Sequence, residues 1–266
     1  MTSETSSPHR LTGVAQLVND AIVVTKRNLI GYLRRRDVLV FVIVQPVMFV
    51  LLFGYIFGGI ITIPGGGNYI DFALPGIMVQ SATFAGIGTA VALTIDRGTG
   101  ILDRFRSLPM TRTGFLFGRV FADTLRTATT VMVIFIVGVF LGYRIQTDVL
   151  SAIAAYLLII GFGFTMSWLA VWVGLSVKDA EAAQAAGFVV LFPLTFISSA
   201  FVPPETLPTV LRFIAEINPL TNVIDAVREL TLGIDSGDAL MRSLIGMAVF
   251  IAVFGYLGIR KYRSLN

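Results

Sequence analysis

Six long apolar stretches set the rhythm of this chain, at residues 38–61, 72–95, 127–143, 150–177, 185–202 and about 240–259. The first runs 24 residues without a charge, which in a helix reaches about 36 Å against a hydrocarbon core of about 30 Å. The pattern predicts an all-α polytopic membrane protein with six transmembrane helices.

Two segments break the pattern. From residue 11 to 33, Leu11, Val14, Val18, Ala21, Ile22, Leu29, Tyr32 and Leu33 recur at helical spacing, while Gln16, Asn19, Lys26 and Arg27 fall largely elsewhere. Directly ahead of Arg34, Arg35 and Arg36, this predicts an amphipathic helix lying in the membrane interface. Residues 203–233 carry Glu205, Arg212, Glu216, Asp225, Arg228 and Glu229. At about 2.5–3.5 kcal/mol for each Asp or base at a helix centre, that is too much charge for a span. Two short amphipathic helices are expected instead. Leu207, Val210, Leu211, Ile214 and Ile217 share a face of the first; Asn218 can cap the second, Pro219 suits its first position and Gly233 its stop. The hairpin is expected in the outer interface or dipping into it. The organisation read from the pattern is a tail and interfacial helix at 1–37, then a six-span domain at 38–266 with a polar loop at 96–126 and the hairpin at 203–233.

A hydrophobic content of 55%, charged residues at 14% and a mean hydropathy of +0.83 exclude an ordinary soluble domain. The net charge of +4 follows topology rather than nucleic-acid binding, because sixteen of the twenty Lys and Arg fall in the termini and in the loops after spans two and four. That asymmetry predicts both termini and the 96–126 loop on the cytoplasmic side. The first long apolar run begins only at Val38, so no cleavable signal peptide is expected. There is no cysteine, and the one histidine, His9, stands in a polar tail, so thiolate, metal and imidazole chemistry lack their usual carriers.

Lys26, Lys178 and Lys261 are the only lysines, and none follows a glycine or precedes Ser or Thr, which rules out a phosphate-binding P-loop. With the spans drawn as above, no ionisable group is expected at their core, so an internal proton route is not expected either. A sodium site made of backbone carbonyls stays open. Asp96, Asp103 and Asp123 have arginine-rich surroundings that read as solvated ion pairs or lipid-surface contacts. For an amphipathic cargo, Gln45, Gln80, Thr83, Thr165 and Ser199 are the candidate polar residues of a path, although polar groups in spans also bind helices to one another.

The polar loop opens with DRGTGILDRFRSLP at residues 96–109. Ile101, Leu102, Phe105 and Leu108 make an apolar stripe on a short helix, with Arg97, Arg104, Arg106 and Arg112 around it and Pro109 as its end. Such a helix can lie on lipid headgroups or dock in a groove on a soluble partner, and docking is the reading adopted.

Arg97-Gly98-Thr99-Gly100, Leu102, Arg104 and Ser107-Leu108-Pro109 resemble the signature loop of the type-2 family of ATP-binding-cassette (ABC) exporter permeases. Phe201-Val202-Pro203-Pro204, Leu207-Pro208 and Asn218-Pro219 resemble that family's external helical hairpin. The resemblance covers nearly the whole chain and is greatest to the bacterial drug-resistance and antibiotic-export branch. It implies a permease in a bacterial plasma membrane, without a nucleotide site or bound cofactor of its own. A second permease copy, identical or related, would enclose a pathway with it. Two cytoplasmic ATPase subunits would hold ATP and magnesium and grip the loop and the N-terminal helix. By this resemblance Arg97, Gly98, Thr99, Leu102 and Arg104 belong to a coupling helix, with Phe105 completing its docking stripe. The cargo would be a hydrophobic or amphipathic compound: a drug, an antibiotic or something lipid-like. From other classes, a self-sufficient channel or sodium-coupled carrier, and a scaffold or sensor, remain as alternatives.

Overall fold

The computed structural model describes residues 13–34, 36–57, 68–102 and 111–264. The named elements among them are all helical: α1 (Val14–Arg34), α2 (Arg36–Leu52, continued by a π-helical turn at Phe53–Phe57), α3 (Tyr69–Gly98), α4 (Arg112–Phe140), α5 (Val149–Ser176), α6 (Ala180–Phe196), a 3₁₀ turn (Pro204–Thr206), α7 (Thr209–Ile217), α8 (Pro219–Leu232) and α9 (Ala239–Ser264). Four of these, α3, α4, α5 and α9, are long and apolar enough to cross a membrane. The remaining two of the six expected spans correspond to shorter apolar helices at Ile43–Ile56 and Ala180–Phe196.

Local chemistry sets several helix ends. Asp148 accepts from the Leu150 and Ser151 amides at 3.0 and 3.2 Å to start α5, and Asp179 accepts from the Ala182 amide at 2.8 Å to start α6. Asn218 accepts from the Leu220 amide at 2.9 Å, Pro219 takes the first position of α8, and Gly233, at φ 70°, ends it. The Asn218 amide has a second task. Its Nδ2 donates to the Leu194 and Ile197 carbonyls at 2.6 and 2.7 Å, satisfying acceptors freed where α6 stops.

The boundaries differ most at α4. The polar loop was expected to reach residue 126, yet the helix begins at Arg112, so residues 112–126 are helical. The helix at 180–196 is likewise displaced from the stretch expected at 185–202, and residues 197–202 turn back onto the bundle.

The helix α3 is the axis of the fold, packed by α2, α4, α5, α6 and α8. It meets α5 along a seam of small residues. At its tightest point a side chain on Gly174 would lie 2.6 Å from the Ala90 carbonyl oxygen, and there the Thr94 hydroxyl donates to the Gly174 carbonyl at 2.9 Å. Away from this axis the surface is apolar. Phe121, Leu125, Met132, Ile136 and Phe140 form an exposed row on α4, and Leu244, Ile245, Val249 and Val253 do so on α9. Exposed apolar surface on this scale belongs against acyl chains.

Candidate functional site

Because α4 starts at residue 112, three of its charged residues lie inside the bundle. Arg119, Asp123 and Arg126, at i, i+4 and i+7, share the helix face that meets Thr89 and Asp96 of α3. Arg119 Nη1 stands 3.2 Å from Asp96 Oδ2, and its Nε 3.5 Å from Asp123 Oδ2. The other Asp123 oxygen lies 3.3 Å from Arg126 Nη2, and the Thr89 hydroxyl donates to Asp123 at 2.7 Å. Arg126 also donates to the Ala85 carbonyl at 3.0 Å, halfway along α3, and faces the Tyr32 ring of α1 at 5.6 Å. Asp123 is 5% exposed and Arg119 9%. Both the expectation of charge-free spans and that of solvated ion pairs at Asp96 and Asp123 are therefore corrected; Asp103 lies outside the described residues. Two acids and two bases offset one another, which is how a buried ionic cluster stays tolerable.

Next to this lattice, Arg97 donates to the Leu175 carbonyl at 2.9 Å and the Lys178 carbonyl at 3.4 Å, so a cation closes the C-terminal end of α5. Gly98 is the last residue of α3. The Thr99 hydroxyl turns back to the Ile95 carbonyl at 2.9 Å, and Gly100 takes φ 69°. Leu102 is 2% exposed in a cluster with Val24, Phe115, Trp168, Leu175 and Tyr262, drawn from α1, α4, α5 and α9. It anchors the loop to its own bundle. Arg104 and Phe105 lie outside the described residues. The α1 helix joins the same end, because Asp20 accepts from the Thr111 amide and hydroxyl at 2.7 and 2.9 Å and so caps α4 from a neighbouring helix.

The hairpin end holds a second buried charge. Arg228 of α8 donates through Nε and Nη2 to the Phe72 carbonyl at 3.2 and 2.9 Å, through Nη2 to the Ser199 carbonyl at 2.6 Å, and through Nη1 to Asp225 at 2.9 Å. Its guanidinium lies 3.7 Å over the Phe72 ring. Burial draws this arginine down to about 10, with Asp225 opposing, so it stays protonated at neutral pH. The Ser199 hydroxyl donates to Asp225 at 2.8 Å and its amide to the Thr221 hydroxyl at 3.2 Å. Ser199, expected on a path, is thus part of this latch. The α8 helix dips deep: Leu220, Val223, Ile224 and Val227 are all buried.

Between the two ends, α2, α3, α4 and α6 enclose a groove of about 300 Å³. Phe49, Phe84, Phe188, Phe192 and Phe196 supply its walls, and Gln45, Gln80, Ser81, Thr130 and Arg126 its polar points. Two of the expected path residues, Gln45 and Gln80, therefore meet. Thr83 and Thr165 do not join them, since their hydroxyls donate to the Val79 and Gly161 carbonyls of their own helices at 2.8 and 2.9 Å. Arg126 was not singled out for the path; the signal for it was the Arg119, Asp123, Arg126 spacing, visible only once residues 112–126 are taken as helix.

A multi-helix bundle with an apolar outer surface and four helices long and apolar enough to cross a membrane is the architecture of a multi-pass membrane protein. The family description for ABC-2 type transporters matches residues 20–232, and the chain belongs to that family. It is 33% identical over 228 residues to the daunorubicin resistance ABC transporter permease protein DrrB1 of Streptomyces coeruleorubidus, covering 86% of this chain and 80% of the relative. A putative transport permease, ycf38, of Cyanophora paradoxa is 30% identical over 219 residues (79% and 73%). The probable doxorubicin resistance ABC transporter permease protein DrrC of Mycobacterium tuberculosis is 24% identical over 250 residues (92% and 89%). This is a family of multi-pass membrane permease subunits, which lack a nucleotide-binding site of their own.

Proposed function

We propose that the chain is the transmembrane subunit of an ATP-driven exporter that moves hydrophobic or amphipathic compounds (drug, antibiotic or lipid-like) out of a bacterial cell. Two copies, or two related chains, enclose the path; two separate ATPase subunits carry ATP and magnesium; both termini face the cytoplasm. The observation that carries this reading is the aromatic groove, whose wall includes Arg126 of the buried lattice. Aromatic walls with a few polar points suit a flat amphipathic cargo.

The connectivity supports a mechanical route. A push delivered at residues 99–102 reaches α3 directly, α5 through Arg97 and the Thr94 to Gly174 bond, and α4 through Asp96 and Arg119. As α3 and α4 both line the groove together with α2 and α6, displacing α3 and α4 relative to the other two changes its width. The permease, reconstituted with its ATPase in vesicles, should show ATP-dependent movement of a fluorescent anthracycline, and Gln80→Ala with Phe192→Ala should cut that movement about tenfold while leaving thermal stability within a few degrees. Movement driven by a sodium gradient without ATPase would instead assign the chain to the carriers.

A further inference from the structure

The flank where α1 runs beside α4 holds a second groove, of about 590 Å³, distinct from the aromatic one. Val18, Ile22, Lys26 and Ile30 line it from α1, and Phe121 and Leu125 from α4. The two helices are held in register beneath it. Thr25 donates to the Gly118 carbonyl at 3.0 Å, Asp20 caps α4 through Thr111, and Ala21 and Val24 are buried between them. The groove is thus built by contacts under its floor, while the lining itself stays open: Ile22 is 60% exposed, Phe121 48% and Leu125 49%.

Two observations say what covers it. Phe121 and Leu125 begin the exposed apolar row that continues along α4 through Met132, Ile136 and Phe140, so the groove opens from the same side that faces acyl chains. Lys26 is the one charged side chain of the lining, and among the described residues no carboxylate pairs with it. From Lys26 the apolar wall runs on through Ile30 of α1 and Leu125 of α4 to the exposed Met132, so a fatty-acyl chain starting at the ammonium would follow the lipid-facing row of α4.

We propose that this groove binds one acyl chain of an anionic phospholipid, whose headgroup phosphate sits on Lys26. The apolar wall supplies affinity and the ammonium supplies headgroup preference. A lipid held there links α1 to α4 above their direct hydrogen bonds, so the two helices move together.

The test is native mass spectrometry of the purified full chain in a mild detergent, titrated with phosphatidylglycerol or phosphatidylcholine of identical acyl chains. One base beside an anionic headgroup gives about a fivefold preference for phosphatidylglycerol. Lys26→Glu should abolish that preference, whereas Lys178→Glu, an exposed lysine on the turn between α5 and α6, should leave it intact. Ile22→Trp fills the groove from an exposed position and should weaken both lipids without moving the thermal midpoint. Equal binding of the two lipids by the parent chain, or a preference that survives Lys26→Glu, overturns the proposal. So does an Ile22→Trp chain that loses capture of the ATPase subunit but binds lipid as before, because the groove would then be a protein dock.

Discussion

The two ends of this bundle bury arginines in opposite ways. At the end formed by α1 and the 96–102 turn, Arg119 and Arg126 share Asp123, and Arg119 also reaches Asp96, so the contacts run between side chains on two parallel rows of α3 and α4. At the hairpin end, Arg228 is alone and spends most of its donors on backbone carbonyls of Phe72 and Ser199, from segments far apart in the chain. A lattice in which one carboxylate serves two bases has alternative pairings and tolerates a shift of one helix along the other. A guanidinium fixed to peptide carbonyls has none, because those acceptors cannot rotate toward a new partner. The ion-pair lattice is therefore expected to yield to a displacement of α3 along α4 before the Arg228 latch does, although Arg97 and Arg126 also hold backbone carbonyls there.

The comparison breaks first at Arg228. Arg228→Met leaves the Phe72 and Ser199 carbonyls without their buried donor and Asp225 with the Ser199 hydroxyl alone, and should cost about 3 kcal/mol or more, read as a large fall in thermal midpoint in detergent. Arg228→Lys, which restores the charge without the planar fork, should recover only part of it. Asp123→Leu should cost less, about 2–3 kcal/mol, because Arg119 keeps Asp96 and Arg126 keeps the Ala85 carbonyl. A loss at Asp123 equal to that at Arg228 would refute the distinction between the two ends.

A smaller effect tests the route out of the ion-pair end. Arg97→Ala removes the cation from the C-terminus of α5 and should cost about 1 kcal/mol, with Arg97→Lys close to the parent. If the loop drives the groove as proposed, cargo moved per ATP hydrolysed should fall further than stability does. The smallest effect is at Asp148, an exposed cap whose carboxyl is held below its usual range chiefly by the Ser151 hydroxyl and amide. Its contribution is present above pH 3.8 and is lost as pH falls through the lower value of the folded chain. Below about pH 4 the parent should therefore lose its slight advantage in thermal midpoint over Asp148→Ala, and a gap unchanged at pH 3 would remove the carboxylate from the account of that cap.

Much of the architecture was legible in advance, and the failures have a common cause. The Asn218, Pro219 and Gly233 signals for α8 operate within a few residues, and the structure repeats them. The start of α4 was missed because charges were counted along one stretch, and Arg119, Asp123 and Arg126 made that stretch look like a loop; the Asp96 that balances Arg119 is 23 positions away. The same counting put Arg228 among the charges that exclude a span from the interfacial hairpin and gave it no partner, although its acceptor at Phe72 lies 156 positions off. Among the path residues, the face of the helix decided the outcome. Gln45 and Gln80 stand on faces that line the groove, as do Ser81 and Thr130, whereas Thr83 and Thr165 are buried in the packing and bond the carbonyl four residues back.

By itself the sequence determined what depends on near neighbours and on total burial: that the chain is helical and membrane-bound, where α8 is capped, and the motifs that resemble one family of permeases. Only the tertiary structure decided which charges enter the bundle and which polar residues meet in a groove. A buried ion is tolerable or ruinous according to a partner from a distant turn, and no local pattern carries that partner's position.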